Sequence, residues 1–262
     1  MLKSRAAVWL FLVTLLVSGD GASAAQARGI TIAAAADLRF AMDEIVTQFR
    51  ARHPADRIEV VYGSSGKFHT QIRQGAPYDL YFSADIEFPR RLAEDGLAAS
   101  EVWPYATGRI VLWSPTLDAT RMTLDSLTDP AITRIAIANP QHAPYGKRAE
   151  EALRGAGVWE RVESRLVYGE NISQTAQFVE TGNAQVGVIA LSLAISPPLA
   201  EKGGYWLIPD ALHEPLEQGF IITKRAADNP LARSFAEFMN EPDTRTVLTR
   251  YGFVLPDDTA GE

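Results

Sequence analysis

Apolar positions recur along this chain in two rhythms. Ile30-Thr31-Ile32 has the two-residue period of a strand and runs into Ala33-Ala34-Ala35-Ala36-Asp37. Leu38, Ala41, Met42, Ile45 and Phe49 then fall on one helical face, until Arg52-His53-Pro54 stops the run. Ile58, Val60 and Tyr62 restore the strand rhythm, and Phe68 and Ile72 the helical one, as far as Gly75 and Pro77. Asp79 to Asp85 reads as a buried strand with polar ends, followed by a helix over about 86–95 that Gly96 closes. Further strands are expected at Arg109–Trp113, Arg134–Ala138, Arg165–Tyr168, Val186–Ala190 and Gly219–Thr223. Helices are expected from Pro144 to Ala156, after Gly169-Glu170-Asn171 as far as Gly182, and from Asn229-Pro230 and Glu241-Pro242 to the end near Gly252.

Strand and helix patterns therefore alternate in two blocks, which predicts two α/β lobes, each a mostly parallel sheet flanked by helices. In such sheets ligands bind beyond the carboxyl ends of the strands. Four strand-to-helix turns are rich in small residues: 33–37, 63–66, 139–146 and 169–172. Two belong to each block, so a ligand cleft between the lobes is expected. The turn Gly63-Ser64-Ser65-Gly66-Lys67 places two hydroxyls at a helix start, where unpaired backbone N–H groups favour an anion. Ser64 also suits an ordinary N-cap, and Asp37 is a plausible N-cap for helix 38–52, accepting from the N–H of Arg39 or Phe40.

The N-terminus changes the picture of where the protein works. Lys3 and Arg5 precede the apolar run Ala6–Val17, and Ala22-Ser23-Ala24 has the small-x-small form of a cleavage site. Residues 1–24 are expected to be a signal peptide, leaving a chain exported to the periplasm. The apolar run is shorter than the roughly 20 residues of a bilayer span, and no Cys follows it to carry a lipid. Without Lys3, Arg5 and Asp20 the net charge moves from −7 to −8, which argues against a nucleic-acid partner. The chain has no Cys and 47% apolar residues, so it stands on its core rather than on disulfides.

The candidate chemistry is sparse. His53, His69, His142 and His213 show no zinc-ligand spacing, and neither GxGxxG after a strand nor GxxxxGK[ST] occurs. Ser64-Ser65-Gly66-Lys67 satisfies the S-x-x-K pattern of acyl-serine enzymes, but its partners S-D-N and K-T-G are absent. An exported enzyme using Ser64 and Lys67 is thus the alternative from another class. A binding site needs no cation: several helix N-termini, each worth roughly half a positive charge, can hold a dianion with serine hydroxyls. Lys67, His69 and Lys147 are expected to be solvated, and Ser83 and Asp85 to fix their own loop.

Several of these stretches, in order, resemble the periplasmic molybdate-binding proteins of ABC transporters. They are Ala33-Ala34-Ala35-Ala36-Asp37-Leu38, Gly63-Ser64-Ser65-Gly66, Gly75-Ala76-Pro77-Tyr78-Asp79-Leu80-Tyr81-Phe82-Ser83-Ala84-Asp85, Asn139-Pro140-Gln141-His142-Ala143-Pro144-Tyr145-Gly146 and Arg250-Tyr251-Gly252-Phe253. The resemblance implies a type II, two-lobed periplasmic binding protein, a monomer that closes on molybdate or tungstate and delivers it to a membrane permease; sulfate is the alternative oxyanion. It implies no cofactor and no metal–protein bond. By the same resemblance, Ser65 offers a hydroxyl and backbone N–H, with Ser64 beside it. Tyr145 and Ile172 offer backbone N–H groups, and Ala36 or Asp37 a further donor. Members commonly carry Ser or Thr-Asn at this first turn, and a Tyr where Ala190 stands here. The lobes are expected to comprise 25–107 with 217–262, and 108–216, with hinges near Ala106–Arg109 and Leu212–Gly219.

Overall fold

The computed structural model of the chain describes residues 29–256; the expected signal peptide, residues 1–24, lies outside them. The first block forms β1 (Gly29–Ala35), α1 (Arg39–Arg52), β2 (Arg57–Gly63), α2 (Ser65–Arg73), β3 (Leu80–Ser83), α3 (Glu87–Glu94) and β4 (Trp103–Gly108). The second forms β5 (Ile110–Ser114), β6 (Ile135–Ala138), α4 (Pro144–Gly155), α5 (Trp159–Val162), β7 (Leu166–Gly169), α6 (Ile172–Glu180), β8 (Val186–Ala190), α7 (Leu191–Ala194), α8 (Pro197–Ala200) and β9 (Gly204–Leu207). The chain then returns through β10 (Leu216–Ile222), α9 (Pro230–Phe238) and α10 (Pro242–Arg250).

Two five-stranded sheets result, in the orders β2-β1-β3-β10-β4 and β7-β6-β8-β5-β9. Both are mixed rather than mostly parallel. β1 runs parallel to β2 and β3, and β6 to β7 and β8. β10 is antiparallel to β3 and β4, and β5 to β8 and β9. Parallel neighbours are joined by crossover helices, which bring the chain back to the same end. β5 and β10 instead receive the chain as it arrives from the other sheet, so no crossover helix fixes their direction.

Alternation along the strands sorts the two faces of the first sheet. Ile32, Ala34, Leu80, Phe82, Phe220 and Ile222 pack with α1 and α9, while Ala33, Tyr81 and Ile221 face Phe68, Ile72 and Leu92 of α2 and α3. Central strands covered on both faces read as continuous apolar runs, and Ile110–Trp113 and Ile135–Ala138 are wholly buried in the second sheet. The strands that the pattern misses, β4 and β9, are edge strands. Pro104 lies within β4, where an edge tolerates a missing N–H. β9 alternates half-buried and exposed residues and leaves Tyr205 and Leu207 outside.

Candidate functional site

Strand register brings the small-residue turns together. Ala35 at the end of β1 is level with Gly63 at the end of β2, and Ala138 at the end of β6 is level with Gly169 at the end of β7. The two pairs of turns face each other across a narrow pocket of about 10 Å³. Ala36, Asp37, Ser64, Ser65, Tyr145 and Ile172 all line it.

Three helices point their first turns at this pocket. Ser65 opens α2, Tyr145 follows Pro144 at the start of α4, and Ile172 opens α6. First-turn amides have no partner within their own helix. Among the described residues no other protein group accepts from the N–H of Ser65, Tyr145 or Ile172. The next turn of α6 is secured separately, because Asn171 Oδ1 accepts from Gln174 N–H at 3.0 Å. Ser65 is held on both sides: Tyr81 Oη donates to its carbonyl at 2.8 Å, and the Ala84 N–H donates to its Oγ at 3.0 Å. With that lone pair taken and no acceptor bonded to it among the described residues, the Ser65 hydroxyl proton is left to donate into the pocket.

Asp37 departs from its expected role. The N-cap residue of α1 is Leu38, and no side chain caps that helix. The Asp37 carboxylate turns the other way, across the lobe boundary. Its Oδ2 accepts from Tyr145 Oη at 3.0 Å and from Gln218 Nε2 at 2.8 Å. Gln218 is itself held by Tyr105, whose hydroxyl donates to Oε1 at 2.5 Å. Asp37 Oδ1 is buried without a partner among the described residues. Burial raises the Asp37 carboxyl from the ordinary 3.8 to about 6, against the lowering effect of the bonds from Gln218 and Tyr145 and of the nearby Asp37 and Leu38 backbone N–H groups. Burial, with Asp37 nearby, also pushes the Tyr145 and Tyr105 phenols well up, so both stay protonated.

Ser64 differs too. Its backbone occupies the N-cap position of α2, but its side chain caps nothing. Its Oγ donates to the His142 carbonyl at 2.6 Å, and the Gly66 N–H donates to the same oxygen at 3.0 Å. A Cβ on Gly66 would lie 2.7 Å from that oxygen, so the contact between lobes needs glycine. Lys67 is half-exposed, as expected, but pairs with Glu170 of the opposite turn. Lys147 is exposed, and Ser83 Oγ donates to the Asp85 carbonyl at 2.6 Å, fixing its own loop. His69 is less solvated than expected: it is half-buried, 5.3 Å from the Phe88 ring. Ser64 Oγ is shared between the His142 carbonyl and the His142 ring, whose Nδ1 lies 3.0 Å away, and Lys67 is engaged by the Glu170 carboxylate, so the lysine of the S-x-x-K pattern is not paired with a serine as an acyl-serine enzyme would need.

Two more serines join the lobes, and no local pattern singles them out. Ser173 Oγ donates to the Ala36 carbonyl at 2.9 Å, and Ser192 Oγ to the Asp37 carbonyl at 2.8 Å. Ser192 lies two residues beyond Ala190, the position at which the resemblance implied a missing tyrosine donor, so the first turn is still gripped from that side. Gln218 was equally hidden, since its partners lie 73 to 181 residues away in the chain.

The sequence model of the family described as bacterial extracellular solute-binding protein matches residues 30–254. The chain belongs to that family. Among solute-binding proteins of known name, it is 35% identical to the molybdate-binding protein ModA of Azotobacter vinelandii over 245 residues, covering 93% of this chain and 97% of the relative. It is 36% identical to ModA of Rhodobacter capsulatus over 199 residues, or 75% of this chain and 77% of that one. The solved periplasmic molybdate-binding protein of A. vinelandii superimposes with a TM-score of 0.81 at 30% identity, covering 87% of this chain and 99% of the other. The two-lobed fold of this solute-binding protein is thus that of its relatives.

Proposed function

We propose that this protein is the periplasmic receptor of an ABC importer, binding molybdate or tungstate between its lobes and presenting it to a membrane permease. One observation supports this above others. Three unpartnered helix-start amides from both lobes, with the Ser65 hydroxyl, line one small pocket in which no cationic side chain takes part. Neutral donors at helix N-termini suit a compact dianion. The identity to ModA proteins, 35% over nearly the whole chain, favours molybdate among such anions. The contacts to the ligand would come from the Ser65 hydroxyl and N–H and from the N–H groups of Tyr145 and Ile172. Ser64 and Ala36 form the wall, and Asp37 faces the ligand from below.

The lobe boundaries follow from the same reading. Residues 25–107 with 217–262 would move as one lobe and 108–216 as the other. The hinges would lie near Ala106–Arg109 and Leu212–Gly219. Residues 1–24 would be removed on export, and the receptor would act as a monomer.

Calorimetric titration with molybdate, tungstate, sulfate and phosphate tests the assignment. Rigid donors set for a larger tetrahedron meet the smaller sulfate at poor distances, and each buried donor left so costs about 1–3 kcal/mol. Molybdate and tungstate should bind far more tightly than sulfate. Equal affinity for sulfate and molybdate would overturn the ligand and leave the fold untouched.

A further inference from the structure

We propose that Asp37 takes up one proton when the pocket fills, and that its Oδ1–H then donates a hydrogen bond to the bound anion. The inference rests on the assignment of the pocket to a tetrahedral dianion. Asp37 lines the pocket and is 1% exposed. Its Oδ2 already accepts two hydrogen bonds, from Tyr145 and Gln218. Its Oδ1 is equally buried and has no partner among the described residues. A proton placed on Oδ1 disturbs neither of these two bonds, and converts an unsatisfied side-chain acceptor into a donor.

Among the described residues, no side chain around Asp37 supplies a cation to offset its charge beside a dianion. Tyr145 from α4 and Tyr105 from β4 are phenols held protonated by burial. Gln218 from β10 and Ser192 from α7 are neutral. Lys67 on α2 is engaged by Glu170 from the turn before α6. His142, on the turn before α4, is held largely uncharged because burial lowers its pKa. Arg39, at the start of α1, lines a neighbouring groove that also contains Glu180. Among the described residues no cationic side chain therefore contacts the carboxylate, and an ionised Asp37 would add a further negative charge beside a dianion. Like charges in one site raise a carboxyl further, and burial has already brought this one to about 6.

The step balances simply. A carboxylate, a proton from the buffer and a dianion become a carboxylic acid hydrogen-bonded to the same dianion. No bond to the central atom of the anion forms or breaks.

Titration of the protein with molybdate at pH 7.5, in several buffers of different ionisation enthalpy, counts the protons. Uptake close to one per anion is expected there, falling as the pH is lowered into the range, between about 6 and 4, where Asp37 of the empty protein is itself protonated. The Kd should rise toward tenfold per pH unit between about pH 7 and 9. Asp37→Asn mimics the protonated acid, with its Oδ1 accepting from Tyr145 and Gln218 and its Nδ2 donating to the anion. Its Kd should be flat with pH and its proton count zero. Tight molybdate binding by the natural protein with no uptake would overturn the proposal alone. Tighter binding of hydrogen phosphate than of molybdate, again without uptake, would make Asp37 an acceptor for the ligand's own proton, and would remove the dianion assignment too. Absence of binding by both proteins to every oxyanion would remove the pocket assignment and the proposal with it. If the Asn variant does not fold, the proton count of the natural protein still decides.

Discussion

At the scale of single residues, Ser64 and Ser65 are neighbours with different work. Ser65 keeps a hydroxyl proton free because Ala84 N–H occupies a lone pair of its Oγ. Hydrogen bonds to charged acceptors contribute about 1.5–3 kcal/mol. Ser65→Ala should therefore weaken molybdate binding by roughly ten- to a hundred-fold. Ser64 donates to a neutral carbonyl across the lobes, a bond worth about 0.5–1.5 kcal/mol, so Ser64→Ala should lose about tenfold at most. Calorimetry on both variants checks the order; a greater loss at Ser64 would put the anion contact one residue earlier. Lys67→Ala offers a third comparison. Its pair with Glu170 is half-exposed on both sides, and such pairs contribute about 0–1 kcal/mol and are screened by salt. The variant should bind slightly more weakly at low ionic strength and like the natural protein at high salt. The sequence made the Ser-Ser turn legible as an anion site because glycines and hydroxyls at a helix start carry that meaning locally. It misled at Asp37 for the same reason. N-cap preference is a local tendency, and Tyr145 and Gln218, brought in by the fold, gave the carboxylate stronger partners.

At the scale of elements, the glycines at the turns are explained by what approaches them. Gly66 sits at the second position of α2 with the His142 carbonyl 2.7 Å from where a Cβ would be. That atom is backbone and cannot swing aside. Gly66→Ala should therefore hold the lobes apart at this point while leaving α2 intact, since Ala is the better helix former. Molybdate affinity should fall by more than tenfold, with the thermal midpoint of the ligand-free protein unchanged or slightly higher; scanning calorimetry with and without molybdate reads both. Normal affinity would mean that the contact to His142 is dispensable for closure. Element placement was legible wherever both faces of a strand are buried, as in β6 and β8, or wherever proline opens a helix, as at Pro144, Pro230 and Pro242. It was not legible at β4 and β9, whose half-covered edges blur the alternation. Nor was the mixed direction of the sheets, because the periodicity of a strand is the same whichever way it runs.

At the scale of the molecule, the buried Asp37 should couple the proposed lobe closure to pH before any ligand arrives. Its carboxylate is covered by Tyr145 of the second lobe, and its carbonyl by Ser192. Opening the cleft would remove Tyr145 and Ser192 and return the carboxylate, still bonded to Gln218 of its own lobe, to water and toward the ordinary value of 3.8, whereas in the closed form it stands at about 6. A difference of about two units amounts to roughly 3 kcal/mol between closing over an ionised and over a neutral Asp37. The sign follows from the raised value: the closed form binds the proton more tightly, so closure is favoured as pH falls from about 6 toward 4. Above pH 6 both forms are ionised at this group, and the penalty on closure is full and constant. The ligand-free protein should therefore be more open at pH 7.5 than at pH 4.5, with the change centred between those values. Small-angle scattering would register it as a smaller radius of gyration at the lower pH. Asp37→Asn carries no charge to bury, so its radius should be the same at both pH values and close to that of the natural protein at pH 4.5. A natural protein whose radius does not change with pH would mean that the open form keeps Asp37 as buried as the closed one. The Tyr145 bond would then be part of a fixed boundary rather than of a moving one.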